Sequence, residues 1–367
     1  MVLMMVICTI IFALTLSARM TEIGIETQRL MDYTANRENN YLMARSALEI
    51  GLSLLQNDSG DTDSLQDYWA RGEITLQWEG RPVSLRIVDE ESKFPLSYMQ
   101  QHTDDCAYLE QALKRFMESA GVSSGNAAVD QFLDWVDPDG ARRDQGAEET
   151  DYADGRKFKD GPCHSIYEVL ALPAWSELPH YKSPRQALDW AETGLAVGGS
   201  GSGGTSSGGT SSGGEDSASS PNQASDGKGK TEFGGNSFNS SVPEAQTLGR
   251  EASSPWEEWM SVYSSGKVNV NTAPPEVLRC LDEKMTETVV NEIDSQRRTT
   301  AFKDINDLRN IAGFDEDLRH RLSNYLCVKS RVFEVRATVR SIPGTVCLRA
   351  IVERSGNQIT VLRWEVQ

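Results

Sequence analysis

The chain has 367 residues, 38% of them hydrophobic and 25% charged, enough for two or three compact units with real cores. Its net charge of −18 argues against a nucleic-acid partner, which needs clustered Lys and Arg, and suits solubility or cation binding instead. The six cysteines (Cys8, Cys106, Cys163, Cys280, Cys327 and Cys347) form no C-x-x-C pair, which argues against a zinc cage or a thioredoxin-type motif, while export would still permit disulfides.

Met1 to Ala18 carries no charge and reads as a short membrane span, with an ordinary signal anchor as the competing reading. Arg19 to Leu55 follows without proline and with only Gly24 and Gly51. Ile23, Leu30, Tyr33, Tyr41, Ala44, Leu48 and Leu52 recur near helical spacing, so one helix is expected over residues 1–56. Such a helix would be on the order of 80 Å long. A polar loop, Asn57 to Asp67, leads into two alternating runs, Glu73–Trp78 and Pro82–Val88, which read as a hairpin turning at Gly80.

From Glu90 to about Trp190 the pattern is helical. Tyr108–Ser119 sets Leu109, Leu113 and Phe116 on one face, and Ala127–Trp135 and Ile166–Leu170 make shorter helices. Residues 194–240 are Gly- and Ser-rich, too poor in apolar groups to offset chain entropy, and are expected to form a flexible loop. Helical patterning returns from Pro255 to about Tyr325. Three alternating runs close the chain: Val332–Val339, Val346–Glu353 and Ile359–Val366, with turns at Pro343-Gly344 and Gly356-Asn357. They read as a meander with one wet face. Two early strands alone would be marginal, so pairing with the late three is favoured over three beads in a row. The expected class is α+β: a helix over 1–56, first strands over 57–91, an inserted α-helical domain over 92–327 and a closing meander over 328–367.

The catalytic readings are weak. His102, His164, His180 and His320 form no metal or triad pattern, and no nucleophile elbow or P-loop occurs. The tryptophans read as core or rim. An acidic run is the one candidate ligand site: Asp137, Asp139, Asp144, Glu148, Glu149 and Asp151. Close loop carboxylates suit calcium, which takes six to eight oxygens, though no complete EF-hand loop follows Asp137-Pro138-Asp139-Gly140. A solvated turn is the bland alternative, and Arg142 and Arg143 stand ready to pair with the acids.

Two stretches carry a family resemblance. One runs from Asp89-Glu90-Glu91-Ser92-Lys93 through Leu133-Asp134-Trp135-Val136-Asp137-Pro138-Asp139 to Gly146-Ala147-Glu148 and Tyr152. The other is Val268-Asn269-Val270-Asn271-Thr272-Ala273-Pro274-Pro275-Glu276-Val277-Leu278 with Phe302-Lys303-Asp304-Ile305-Asn306-Asp307-Leu308 downstream. Both resemble the protein K family of type II secretion, minor pseudopilins of the type IV pilin-like superfamily. Ser92 stands where that family has glycine, and Phe94-Pro95-Leu96-Ser97 where it has N-L-N. The chain also resembles K proteins in having no acid early in its apolar run, the first being Glu22. Pilins are made with a short basic leader. None precedes the apolar run here, so the chain is expected to lie near the mature form or to gain a leader from sequence upstream of Met1.

The resemblance implies a non-catalytic pseudopilus-tip subunit, anchored in the bacterial inner membrane through residues 1–18 with its body in the periplasm. It implies partnership with the minor pseudopilins I and J. It also implies calcium in the helical domain, with Asp137, Asp139, Glu148, Glu149 and Asp151 as the expected ligands. The second stretch also resembles helix-hairpin-helix modules, so a pilus-assembly or DNA-uptake protein is the alternative, and an enzyme comes third. Leu281-Asp282-Glu283-Lys284 lacks the glycine such hairpins set against phosphate, and Ala312-Gly313-Phe314-Asp315-Glu316-Asp317 would face it with three acids. The module is therefore expected to be a packing unit without nucleic acid. Its first helix is expected to begin at Pro274, capped by Asn271 and Thr272 with Glu276 near its positive end.

Overall fold

The computed structural model describes residues 2–78, 80–103, 105–148, 159–178, 258–341 and 344–366. Helix α1 runs unbroken over Val2–Gln56, since no proline interrupts it. Its two halves meet different surroundings. Side chains from Val2 through Met31 are exposed. Farther along, Asn40, Met43, Ala44, Ala47, Leu48, Gly51 and Leu55 are buried on one face at helical spacing. Ile23, Leu30 and Tyr33, expected on that face, stay exposed because the sheet underlies only the last part of the helix. Gly51 marks the closest approach. A Cβ there would lie 2.7 Å from Val335 Cγ1 and 3.0 Å from Leu85 Cδ1, so a larger residue would lift the helix off the sheet.

The strands in chain order are β1 (Glu73–Trp78), β2 (Arg81–Asp89), β3 (Phe94–Pro95), β4 (Met260–Ser261), β5 (Val268–Asn269), β6 (Leu326–Cys327), β7 (Val332–Ser341), β8 (Gly344–Ser355) and β9 (Gln358–Val366). The main sheet has the order β1-β2-β7-β8-β9, and every neighbouring pair is antiparallel. The early hairpin thus pairs with the late meander, as favoured from the sequence. Gly80 and Gly356 make the two described hairpin turns with positive φ, 78° and 60°. Leu85, Ile87, Phe333, Val335, Ala337, Leu348 and Ala350 alternate onto the face that packs on α1. Each such burial stabilises by about 1.5–3 kcal/mol for the larger side chains.

The opposite face departs from the wet surface expected of the meander. Glu334 and Arg349 project from it and are buried, as is Ile351. The segment after β2 covers them: Glu90, Glu91, Ser92 and Lys93 are all buried. Short parallel ladders tie this cover together, β3 with β4 and β5 with β6.

A second core gathers the single helical turn Leu96–Met99 and five longer helices. The five are α2 (Ala107–Ser119), α3 (Gly125–Val136), α4 (Pro275–Leu281), α5 (Glu287–Thr299) and α6 (Glu316–Leu322). Leu109, Leu113, Phe116, Phe132, Leu278 and Ile293 are fully buried or nearly so. Ser124, Thr286 and Asp315 cap α3, α5 and α6 by accepting a backbone N–H three residues on. A 3₁₀ helix over Ile166–Ala171 carries a capping box from Ser165 and Glu168.

The cap expected for α4 is not there. The helix begins at Pro275, Pro274 occupies the cap position, and no side chain caps it. Asn271 instead turns inward to exchange hydrogen bonds with the backbone of Phe302, at 3.0 and 2.8 Å, and Thr272 donates to Asp89. Buried partners outcompete the helix end for these two side chains. Trp69, Trp135 and Trp175 are core residues, whereas Trp78 and Trp364 are exposed. All six cysteines are free thiols. The Gly/Ser tract over 194–240, Trp190, Trp256 and Pro343 lie outside the described residues.

Candidate functional site

The acidic loop begins where α3 ends. Asp137 is the C-cap residue of α3, extended and buried, and its N–H still bonds Leu133 O at 2.9 Å. One of its carboxylate oxygens, Oδ1, is buried without a hydrogen-bond partner. Asp139 is exposed and closes a local turn by accepting from Ala141 N at 2.8 Å. Glu148 is half-buried at the far end of the loop. Glu149 and Asp151 lie outside the described residues.

The loop is shaped by a residue that the motif contained but that sequence reasoning did not count as part of the site. Asp134 is fully buried, and its carboxylate accepts from Arg143 N at 3.3 Å and from the backbone of Ala147. Gly146 lies directly against it: a Cβ there would come within 1.8 Å of Asp134 Oδ2. This explains the glycine of Gly146-Ala147-Glu148 as a matter of space. Arg143 lies at the edge, 3.8 Å from Asp134 and 3.7 Å from Glu110, and donates to Thr103 O at 3.3 Å.

Electrostatics links the acids. Burial first, then the charges of Asp134, Asp137, Asp160 and Asp139, push the Glu148 carboxyl up to about 7. Burial, then Asp139 and Asp134, push Asp137 up to about 6, with Arg143 opposing. Asp160 joins this group unpredicted by the sequence reading. It is the one non-glycine among the described residues with positive φ, 47°. The Asp160-Gly161 pair was the available signal, since it marks a turn. Among the described residues, Asp137, Asp139 and Glu148 do not bring a ligand oxygen from each within 4.8 Å of the others.

A second polar centre joins the two motifs. Asp89, at the end of β2, is buried and accepts from Thr272 Oγ1 at 2.5 Å, Ser330 Oγ at 2.7 Å, Glu91 N at 2.8 Å and Asn269 Nδ2 at 3.2 Å. Burial and the Glu91 charge push its carboxyl up to about 7 against these donors. The two separated motifs are therefore one structure, a buried latch between the sheet and the helical core.

The hairpins of the second motif close on each other. Lys284 of the first reaches Asp315 at 2.7 Å and Asp317 at 3.1 Å in the second. Arg321 binds both oxygens of Asp282, at 2.8 and 2.9 Å, and Tyr108 donates to the same carboxylate at 2.8 Å. Those partners hold Asp282 down at about 2 against the effect of burial. Asp315 is the α6 cap. These acids are engaged in internal pairs, as a packing unit requires.

Comparison with known proteins bears on the whole arrangement. Residues 268–329 match the family model of type II secretion system protein K. A relative from Escherichia coli strain K12, described as a type II secretion system protein K, is 27% identical over 135 residues, which is 34% of this chain. The chain spans 40% of that relative's length. The fold matches a chain of the crystal structure of the GspK–GspI–GspJ complex from enterotoxigenic Escherichia coli, with a TM-score of 0.60 and 13% identity. That match covers 92% of this chain and 99% of the other. Residues 268–329 are thus similar to the K proteins of type II secretion systems, and the fold is shared with a chain of the GspK–GspI–GspJ complex.

Proposed function

We propose that the chain is a structural minor pseudopilin of a type II secretion system, built into the tip of a pseudopilus together with pseudopilins I and J and supporting export of folded proteins. The observation that carries this reading is the divided helix α1. An 18-residue window with mean hydropathy 2.2 is wholly unburied, while the far end of the same helix packs on the sheet. A folded body thus presents an unpartnered apolar helix, which suits an inner membrane before assembly and neighbouring helices after it. The body would lie in the periplasm. The internal pairing of the hairpin acids argues against the DNA-uptake alternative. The full chain, co-expressed with the I and J subunits of its own system, is expected to co-purify with both in detergent. Ile10→Asp with Ile11→Asp should abolish secretion of the system's folded substrate while leaving the melting temperature of the body unchanged. Purification alone, or secretion unaffected by those charges, would overturn the reading.

We further propose that the loop from Asp134 to Glu148 binds calcium. The unpartnered Asp137 oxygen and the mutually repelling carboxyls fit a hard divalent ion, with Glu149 and Asp151 as further expected ligands. When bound, the ion supplies charge neutralisation and cross-links the end of α3 to the far side of the loop. Calcium at a hundred times its dissociation constant is expected to stabilise the folded chain by about 2.7 kcal/mol. Differential scanning calorimetry with calcium and with chelator measures it. Asp137→Asn with Glu148→Gln should remove the part of the response that this loop contributes, and equal melting temperatures in the wild type would sink the proposal.

A further inference from the structure

The polar loop that follows α1 brings three carboxylates together. Asp58, Asp63 and Asp67 each offer an oxygen within 4.8 Å of the others. Two oxygens bound to one calcium ion at about 2.3–2.6 Å lie no more than about 5 Å apart, so this spacing meets the requirement. The trio is organised from several directions. Asp63 is fully buried, and its Oδ2 accepts from Ser330 N at 2.7 Å and pairs with Arg354. Its other oxygen, Oδ1, is buried with no partner. Asp58 Oδ2 accepts from Arg354 Nη1 at 3.0 Å and from Trp69 Nε1 at 3.2 Å. Asp67 Oδ2 accepts from Ser64 N at 2.7 Å.

Charge leaves the trio short of compensation. Three carboxylates face one guanidinium, Arg354, whose side chain is 3% exposed and lies over the Phe333 ring. Lys329 also reaches this loop, but donates to Gly60 O at 2.6 Å. A buried carboxylate oxygen without a donor costs free energy, and a divalent cation is the ligand that would satisfy it and cancel the remaining charge. Asp58 and Asp67 are only half-buried, which leaves a way in from solvent.

We propose that Asp58, Asp63 and Asp67 form a second divalent-cation site, suited to calcium, at the junction of α1 with the sheet. It is distinct from the loop between Asp134 and Glu148. Its position has consequences. Asp58 lies two residues beyond the end of α1, Arg354 is the penultimate residue of β8, and Ser330 precedes β7 and bonds Asp89. A cation here would clamp the base of the assembly helix to the sheet and to the buried latch.

The test uses the full chain in detergent, stripped of metal with chelator and titrated with calcium by calorimetry. The Asp137→Asn, Glu148→Gln background silences the other proposed site, so the two proposals fail separately. One calcium equivalent is expected to remain in that background, and adding Asp67→Asn should remove it. Terbium in place of calcium gives a second reading. Trp69 donates to a proposed ligand, so tryptophan-sensitised terbium emission should appear in the background variant and vanish with Asp67→Asn. Circular dichroism in chelator checks folding, and Asp58→Asn takes the place of Asp67→Asn if the latter fails to fold. No calcium bound in the background variant, or binding indifferent to these substitutions, would overturn the proposal.

Discussion

Replacing Asp89 with alanine is expected to destabilise the chain by about 4 kcal/mol, the scale for leaving several buried donors without their acceptor. The Thr272 and Ser330 hydroxyls and the Glu91 N–H lose their acceptor at a position that is only 3% exposed. A loss of that size lowers the melting temperature by on the order of 10 °C in a domain of this length. Asp89→Asn should cost much less, because one oxygen remains to accept from Thr272, Ser330 and Asn269. The two variants also differ from wild type in pH dependence. The folded carboxyl is raised from 3.8 to about 7, so the folded state holds its proton more tightly than the unfolded chain. The Asp89 contribution to stability is therefore fully present below the unfolded value and is lost as pH rises through about 7. The melting temperature of the wild type minus that of the Asp89→Asn variant, followed from pH 4 to 8, should shrink over this window. A flat difference would show that Asp89 is ionised throughout and that its donors outweigh burial.

The latch also shows where sequence reading stops. The packed end of helix α1 and strand β2 were legible because each buries one face, which writes a period of 3.6 or 2 into the chain, whereas the late meander, whose middle strands are buried on both faces, was legible from its turns and its spacing. The pairing of β2 with β7 followed from the weakness of an isolated hairpin. Asn271 and Thr272 misled for the opposite reason. A polar pair before Pro274-Pro275 looks like a helix cap, and only the distant Asp89 and Phe302 reveal that both side chains point inward. The candidate calcium loop was legible as acid density, but Asp134, which shapes it, and Asp160, which joins it across 23 residues from Asp137, were not. The Asp58–Asp67 loop read as plain polar linker because its compensating Arg354 lies 291 positions from Asp63 in sequence.

Glu334→Ala is the second large expected effect, on the order of 3–5 kcal/mol. Glu334 projects from β7 onto the face that the segment after β2 covers, and its side chain is 3% exposed. Its oxygens accept from Arg336 at 2.6 Å and from Arg349 at 2.6 and 2.8 Å. The charges of Lys93, Arg336 and Arg349 hold its carboxyl at about 2, outweighing burial, which acts first and in the opposite sense. Alanine would leave Arg349 buried with the charge of Glu90 and with Glu365, 3.4 Å away, in partial compensation. The loss is then chiefly an orphaned cation, not a missing attraction. Adding Arg349→Met should therefore recover much of it, since an apolar pair needs no partner. The pH signature is opposite to that of Asp89. A folded value below the unfolded 4.5 contributes stability that is present above 4.5 and lost as pH falls toward about 2. Wild type should lose stability steeply over that acid range, and the Glu334→Ala, Arg349→Met chain should lose less. Chemical denaturation at pH 7 and at pH 3 measures both effects. If the double variant is no more stable than Glu334→Ala at pH 7, the cost lies in packing at the β7–β8 face and the ionic layer is not its source.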